Sequence, residues 1–249
     1  MKRFLLTLTA IFICTIAYAH TINWHVGNTI LETTTCDSGE SITPPTAPYK
    51  KGYHFTEWID YRPIEYLENT GTQWIDTGVY TNGNIRWDLD TQLINTNRLC
   101  IFGSGGSTDH GLTSLRAGDT YEVYSFIRND KRYSPGNVSI DTQRHTFVND
   151  IYNGKVKVDR YEIDNIEPFN SSSSYRIYIG AYNNGSPNLQ YGWVARYYKL
   201  KIYDNDILVR DFIPVLDPDG VPCMYDKVEQ KLYYNQGTGQ FIAGPVIGE

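Results

Sequence analysis

The chain has 249 residues, 41% hydrophobic and 14% aromatic, enough to bury a sizeable core in one main domain with a small appendage. Its formal charge of −6, from 22 basic and 28 acidic side chains, argues against nucleic acid, which demands a basic surface. With 21 Tyr and 21 Gly beside 2 Met, and no long Ala, Leu, Glu and Lys segment at helical spacing, the composition favours strands and turns over helices.

Residues 1–19 read as a targeting signal. Lys2 and Arg3 form a positive start, Phe4 to Ile16 an apolar run, and Ala17-Tyr18-Ala19 a small-x-small cleavage site. The run is shorter than the ~20 residues of a spanning helix, so cleavage after Ala19 and no membrane span in the mature chain are expected. The expected destination is secreted: extracellular or cell envelope, a periplasm included. Position 20 is His20, not the Cys an acylated lipoprotein needs. Cys14 leaves with the leader, and Cys36, Cys100 and Cys223 remain. Two of these three could pair in an oxidising compartment, but spacing selects no pair and gives no zinc-ligand pattern.

Residues 20–60 form a small unit. Thr21 to Val26 alternates like a strand, Pro44, Pro45 and Pro48 mark a stiff extended connection, and Tyr53 to Trp58 alternates again. The stretch Pro45-Thr46-Ala47-Pro48-Tyr49-Lys50-Lys51-Gly52-Tyr53-His54-Phe55-Thr56-Glu57-Trp58 resembles the ending of the internalin-type B repeat of bacterial surface proteins. That resemblance implies a β-grasp-like module serving as a stalk or spacer.

The main domain, 61–249, is organised around Ile64 to Gly78, two short runs divided by Asn69-Thr70-Gly71-Thr72, with Ile64, Tyr66 and Trp74 on period-two positions. Arg86 to Leu93 alternates with Trp87, Leu89, Thr91 and Leu93 on one face. Leu99 to Phe102 is a short apolar run before Gly103 to Ser107, which reads as a turn or rim loop because no helix follows to make it a phosphate cradle. Tyr121 to Ile127 and Thr146 to Val158 supply strands, the latter folding at Asn153-Gly154, a hairpin signal. Tyr175 to Gly180 and Val194 to Tyr203 read as core strands around the polar loop Asn183 to Asn188. Strands at this spacing without helices give a sandwich, jelly roll or barrel.

Three segments then carry a resemblance: Ile64 to Gly78, Arg196-Tyr197-Tyr198-Lys199-Leu200-Lys201-Ile202-Tyr203 with Leu208 to Pro214, and the closing Gly220 to Asp226 followed by Lys231-Leu232-Tyr233-Tyr234-Asn235 and Gly237-Thr238-Gly239. They look like a laminin-G-like, concanavalin A-like jelly roll of bacterial secreted proteins. The resemblance implies an all-β fold, a two-sheet antiparallel jelly-roll sandwich. Fold alone does not fix function.

Glu162-Ile163-Asp164-Asn165-Ile166-Glu167 matches the E-x-D-x-x-E signature of laminarinase-type retaining glucanases, in which Glu162 and Glu167 would act as the carboxylate pair on either side of Asp164. Asn165 stands where that family prefers an apolar residue, and Pro168 cuts the strand, so a solvated loop is the preferred assignment. The five His residues form no HExxH, and Ser104 lacks a G-x-S-x-G frame. No cofactor is expected apart from a calcium ion of the kind laminin-G-like folds hold at the rim, for which Asp109 is a candidate ligand. Sugar recognition needs aromatic faces beside polar side chains, and Tyr182, Asn183, Asn184, Tyr191 and Trp193 cluster around one expected loop. The Asn-x-Ser sequons at Asn137, Asn170 and Asn184 carry little weight in a chain that resembles bacterial proteins. No cell-wall sorting motif follows Ala243. The expectation is a non-enzymatic binding protein for a glycan or cell-surface protein. A retaining β-glucanase and a structural envelope component without a ligand are the alternatives.

Overall fold

The computed structural model describes residues 19–26, 29–37, 40–49, 61–95, 99–105, 111–117, 124–128, 131–167, 174–183, 185 and 194–247. The chain divides into two compact units, Met1–Trp58 and Ile59–Glu249.

In the first unit β1 (Ala19–Val26) and β2 (Thr29–Asp37) form an antiparallel hairpin with a register shift between Trp24 and His25. Trp24 Nε1 donates to Thr34 Oγ1 and Thr33 Oγ1 to Asn23 Oδ1, both at 2.9 Å. These cross-strand pairs hold the register on both faces. Residues 40–49, with their prolines, carry no strand or helix. The expected strand Tyr53–Trp58 and the leader before Ala19 lie outside the described residues.

The second unit is all-β and almost wholly antiparallel. Its strands are β3 (Arg62–Pro63), β4 (Leu67–Glu68), β5 (Ile75–Tyr80), β6 (Ile85–Leu93), β7 (Leu99–Gly105), β8 (Gly111–Ala117) and β9 (Ser125–Arg128). There follow β10 (Lys131–Tyr133), β11 (Arg144–Asp150), β12 (Lys155–Val158), β13 (Tyr161–Ile163), β14 (Arg176–Ile179), β15 (Tyr182–Asn183) and β16 (Ala195–Asp204). The last are β17 (Ile207–Leu216), β18 (Pro222–Asp226), β19 (Lys231–Tyr233) and β20 (Ile242–Ala243). One sheet of seven strands runs β10-β9-β8-β7-β14-β5, with β15 parallel to β7. The other, of eleven, runs β13-β12-β11-β6-β16-β17-β18-β19, with β3, β4 and β20 on its flank.

The two sheets pack their apolar faces together. Strand β6 alternates as its sequence predicts: Ile85, Trp87, Leu89, Thr91 and Leu93 are buried, and Arg86, Asp88, Asp90 and Gln92 face outward. Trp87 is fully buried and meets Phe102 of β7 edge-on at 4.9 Å between centroids and Phe126 of β9 at 5.6 Å. Aromatic pairs at such separations add to the area they bury. Arg210 of β17 reaches across the sheets, its Nε donating to Thr77 O of β5 at 2.9 Å. Gly78 leaves room for that guanidinium, since a Cβ there would lie 3.2 Å from Arg210 Nη2.

Two expectations need correction. Ile64, Tyr66 and Trp74 do not share a face. A bend at Glu65 separates β3 from β4 and resets the alternation, so that Ile64, Leu67, Asn69, Gln73 and Ile75 are buried while Tyr66 and Trp74 stay half-exposed. The glycine run beginning at Gly103 is not a loop at its start, because Gly103, Ser104 and Gly105 complete β7. Strand β7 has β8 on one side and β14 with β15 on the other, and this pairing overrides the loop-like composition.

The organising segment Asn69–Gly78 is a junction of strands. Buried Asn69 accepts from Ala195 N at 2.9 Å and donates to Gly180 O at 3.3 Å, tying β16 to the end of β14. Gly180 is required there, with φ +82° and a would-be Cβ only 2.8 Å from Gln73 O. The tail closes over the same segment: Gln236 N donates to Trp74 O at 2.8 Å, and Thr238 N to Thr72 O at 3.2 Å. Strand β4 is paired by β16 and by β20.

Candidate functional site

Of the loop residues singled out from sequence, the structure describes Tyr182 and Asn183. Tyr182 and Asn183 form β15 beside β7 and are 4% and 8% exposed. Asn183 Nδ2 donates to Arg176 O at 2.9 Å, and its Oδ1 accepts from Gly185 N at 3.1 Å. This side chain closes a turn of the scaffold, as Asn does in loops. Asn184, Tyr191 and Trp193, like the calcium candidate Asp109, lie outside the described residues. Among the described residues no group of three or more His, Cys, Asp or Glu is arranged to hold a metal ion.

The acidic triplet lies on and beyond β13, the outermost strand of the larger sheet, and Glu162, Asp164 and Glu167 are all exposed. Lys155 Nζ stands 3.4 Å from Glu162 Oε1 and 3.6 Å from Asp164 Oδ1. A concavity of about 540 Å³ opens beside them, with Tyr152, Asn153, Lys155 and Asp164 in its wall, but Glu162 and Glu167 do not line it. Retaining hydrolysis needs two carboxylates facing one another across a bound sugar. The triplet is distributed along a solvated edge instead. Cys36 and Cys223 are free thiols, and burial, reinforced by Asp217, pushes the Cys223 thiol up to about 12. Such a thiol is neither a nucleophile nor a metal ligand at neutral pH.

Sequence inspection missed the outer face of the larger sheet, where β11, β6, β16 and β17 lie side by side. Residues directly opposite across antiparallel strands point to the same face. The register therefore sets Arg144, Gln92 and Arg196 in one row, and Val148, Asp88, Lys201 and Asp211 in another. Tyr203 lies opposite Arg86 in the next row. A bulge between Tyr197 and Lys199 gives β16 an extra residue, so that Tyr198 and Lys199 both turn outward.

Arginines brace the rings on this face. Arg144 donates to both carboxylate oxygens of Asp90, from Nε at 2.8 Å and Nη2 at 2.6 Å, and its guanidinium lies 3.6 Å above the Tyr198 ring. Tyr198 Oη donates to Gln92 Oε1 at 2.6 Å. Arg196 Nε donates to Glu68 Oε2 at 2.7 Å while its guanidinium covers Tyr66 at 4.2 Å. Tyr66 meets Tyr198 edge-on at 5.7 Å, making Tyr66, Arg196, Tyr198 and Arg144 one contiguous stack. Arg86 lies 4.1 Å from the Tyr203 ring and within 4.0 Å of Asp88, Asp150 and Asp206. Hydrogen bonding to Asp90 is the main cause raising Arg144 above the usual arginine range, and burial is the main cause raising the Tyr198 and Tyr203 phenols. These rings stay neutral and the guanidiniums charged at any working pH. The outcome is an ordered surface of half-exposed aromatic and polar groups whose orientations are fixed by one another.

No protein-family model matches the chain, and no curated protein matches it in sequence. Among the described residues no helix is long and apolar enough to cross a membrane.

Proposed function

We propose that this is a secreted bacterial binding protein in which a laminin-G-like, concanavalin A-like sandwich recognises a glycan without catalysis, presented on a short internalin-type spacer unit. The leader at residues 1–19 and the motif from Pro45 to Trp58 support the address and the spacer. Two antiparallel sheets packed face to face support the sandwich. The observation that carries the binding assignment is the stack of Tyr66, Arg196, Tyr198 and Arg144 on the outer face of the larger sheet, flanked by Gln92, Asp90 and Glu68. Sugar rings engage aromatic surfaces through their C–H faces and engage carboxylates, amides and guanidiniums through their hydroxyls. Groups already locked in place lose little further entropy on binding.

The test is a glycan-array screen of residues 20–249, with and without calcium, that reads both retention and released reducing sugar. Retention without release, lost in Tyr198→Ala, supports the assignment. Sugar release that disappears in Glu162→Gln would replace it with the glucanase, and silence in both channels would replace it with a protein partner or a purely structural role.

A further inference from the structure

We infer that the row Asp88, Lys201 and Asp211, together with Tyr203, forms the subsite that selects a neutral sugar carrying adjacent free hydroxyls. This inference rests on the glycan-binding assignment and names the part of the face that would decide specificity.

The starting point is Asp211. It is 6% exposed, its Oδ1 is buried without a hydrogen-bond partner, and its carboxylate enters no ion pair among the described residues. The backbone around it is fully used: Asp211 N donates to Asp226 Oδ1 at 2.8 Å, and Lys227 N donates to Asp211 O at 3.0 Å. Only the side chain has acceptor capacity to spare. A buried carboxylate oxygen with no donor is costly, and a sheet surface has cheap alternatives such as Ser or Thr at such a position. Groups of this kind ask for an explanation beyond folding.

Asp211 is not isolated in this respect. Asp88 Oδ1, on the same row one strand beyond Lys201, is also buried without a partner, its Oδ2 being 3.4 Å from Arg86 Nη2. Lys201 lies opposite both aspartates in register, yet its ammonium is within 4.0 Å of neither carboxylate and has no other ion-pair partner among the described residues. Tyr203, two residues beyond Lys201 on the same face of β16 and opposite Arg86, stands diagonal to Asp88. With β16 between β6 and β17, the two aspartate backbones are about 10 Å apart. One row thus holds two spare acceptors and one spare donor, with an aromatic ring in the next row.

The chemistry narrows the ligand. Carboxylate oxygens accept from hydroxyl donors and repel carboxylates or sulfates, so an acidic sugar is disfavoured. Lys201 and Arg86 place positive charge in the same rows and disfavour a cationic ligand. Two carboxylates separated by a lysine do not converge on a metal ion. A neutral sugar with adjacent hydroxyls meets every requirement: its hydroxyl hydrogens satisfy the aspartates, a hydroxyl oxygen accepts from Lys201, and its C–H face packs on Tyr203.

The experiment measures array retention of neutral hexose oligosaccharides of the glucan, mannan and galactan series against uronic-acid oligosaccharides. Calorimetry then follows the best neutral oligosaccharide for the native protein, Asp211→Asn, Asp211→Ala, Lys201→Gln and Tyr198→Ala, alongside melting curves of each free protein. Expected are retention of neutral over acidic chains and affinity about ten-fold or more weaker in Asp211→Ala. A melting temperature that rises in free Asp211→Asn, by about 2 °C or more, is also expected because the amide carries no charge to strand. Preference for the acidic chains overturns the inference, as does neutral binding unchanged by the Asp211 variants, or a fall in melting temperature for Asp211→Asn. Binding lost in Tyr198→Ala but kept in both Asp211 variants leaves the glycan-binding assignment standing and removes the subsite alone. A native protein that retains no glycan removes both.

Discussion

The backbone amide of Trp74 donates to Asn235 Oδ1 at 3.1 Å, joining two segments 161 residues apart in sequence. The same oxygen accepts from Gly237 N at 2.8 Å, and Asn235 Nδ2 donates to Gly239 O at 2.8 Å. One side chain therefore shapes the tail and pins it to the segment around Trp74. Asn235→Ala removes all three bonds and is expected to cost about 1–3 kcal/mol. For a unit of this size that is a fall of several degrees in melting temperature, roughly 2–4 °C per kcal/mol. An unchanged melting curve would mean that the tail contributes nothing to closure.

Trp87 is the largest fully buried side chain among the described residues and bridges the sheets through Phe102 and Phe126. Trp87→Ala is expected to destabilise by about 3–5 kcal/mol, the range for deleting a large aromatic from a packed core. Urea unfolding followed by far-UV circular dichroism measures this, and Trp87→Phe should lose distinctly less.

His145 supplies a pH signature. Its Nδ1 is 2.6 Å from Asp159 Oδ2 and its Nε2 is 3.0 Å from Asp141 Oδ1, and the ring is almost wholly buried. Burial by itself lowers the imidazolium pKa, but the hydrogen bonds to Asp159 and Asp141 outweigh it, and the net shift is upward. The folded value lies above the unfolded one, so the stabilisation is complete below about pH 6.5 and is lost as pH rises through the raised value. Asp159 is shifted the other way: burial opposes, but bonds from Thr146 and His145 prevail and lower it. Its contribution is present above about pH 4 and disappears as pH falls through the lowered value. Urea midpoints should therefore decline from pH 6 to pH 8.5, and His145→Gln should flatten that decline. Equal slopes in the two proteins would refute the linkage.

Lys155, Glu162 and Asp164 make an exposed ion-pair group on the edge strand. Exposed pairs of this kind are screened by solvent and contribute little to stability. Glu162→Gln should leave the melting temperature almost unchanged and should not alter glycan retention. A large loss of either would give the triplet a role its position does not suggest.

Much of the scaffold was legible in the sequence for local reasons. Strand β6 could be recognised because its alternation is unbroken, and the β11–β12 hairpin because Gly154 takes φ +76° where its neighbours close the turn. What escaped detection depends on partners far away in the chain. The bulge at Tyr198 breaks the period of two, so a single-strand pattern misassigns its face. The buried state of Tyr182 and Asn183 follows from docking against β7, some 80 residues earlier in chain order, and nothing in their own neighbourhood signals it. The stack on the outer face needs Arg144 beside Asp90, 54 residues away, and Arg196 beside Glu68, 128 residues away. Composition shows that such residues exist, and only register shows that they meet.

Strand β4 has consequences for the order of events in folding. It completes its pairing only with β20, and Ile64 bridges to Val246, so some of the earliest residues of the unit wait for some of the last. A chain emerging N-terminus first would carry Leu67 and its neighbours without β20 through most of synthesis. Contacts of such long sequence separation slow folding and prolong the exposure of apolar strand edges. This architecture thus favours late, all-at-once closure, and a chaperone that shields the early strands until the tail arrives would raise the yield of native protein.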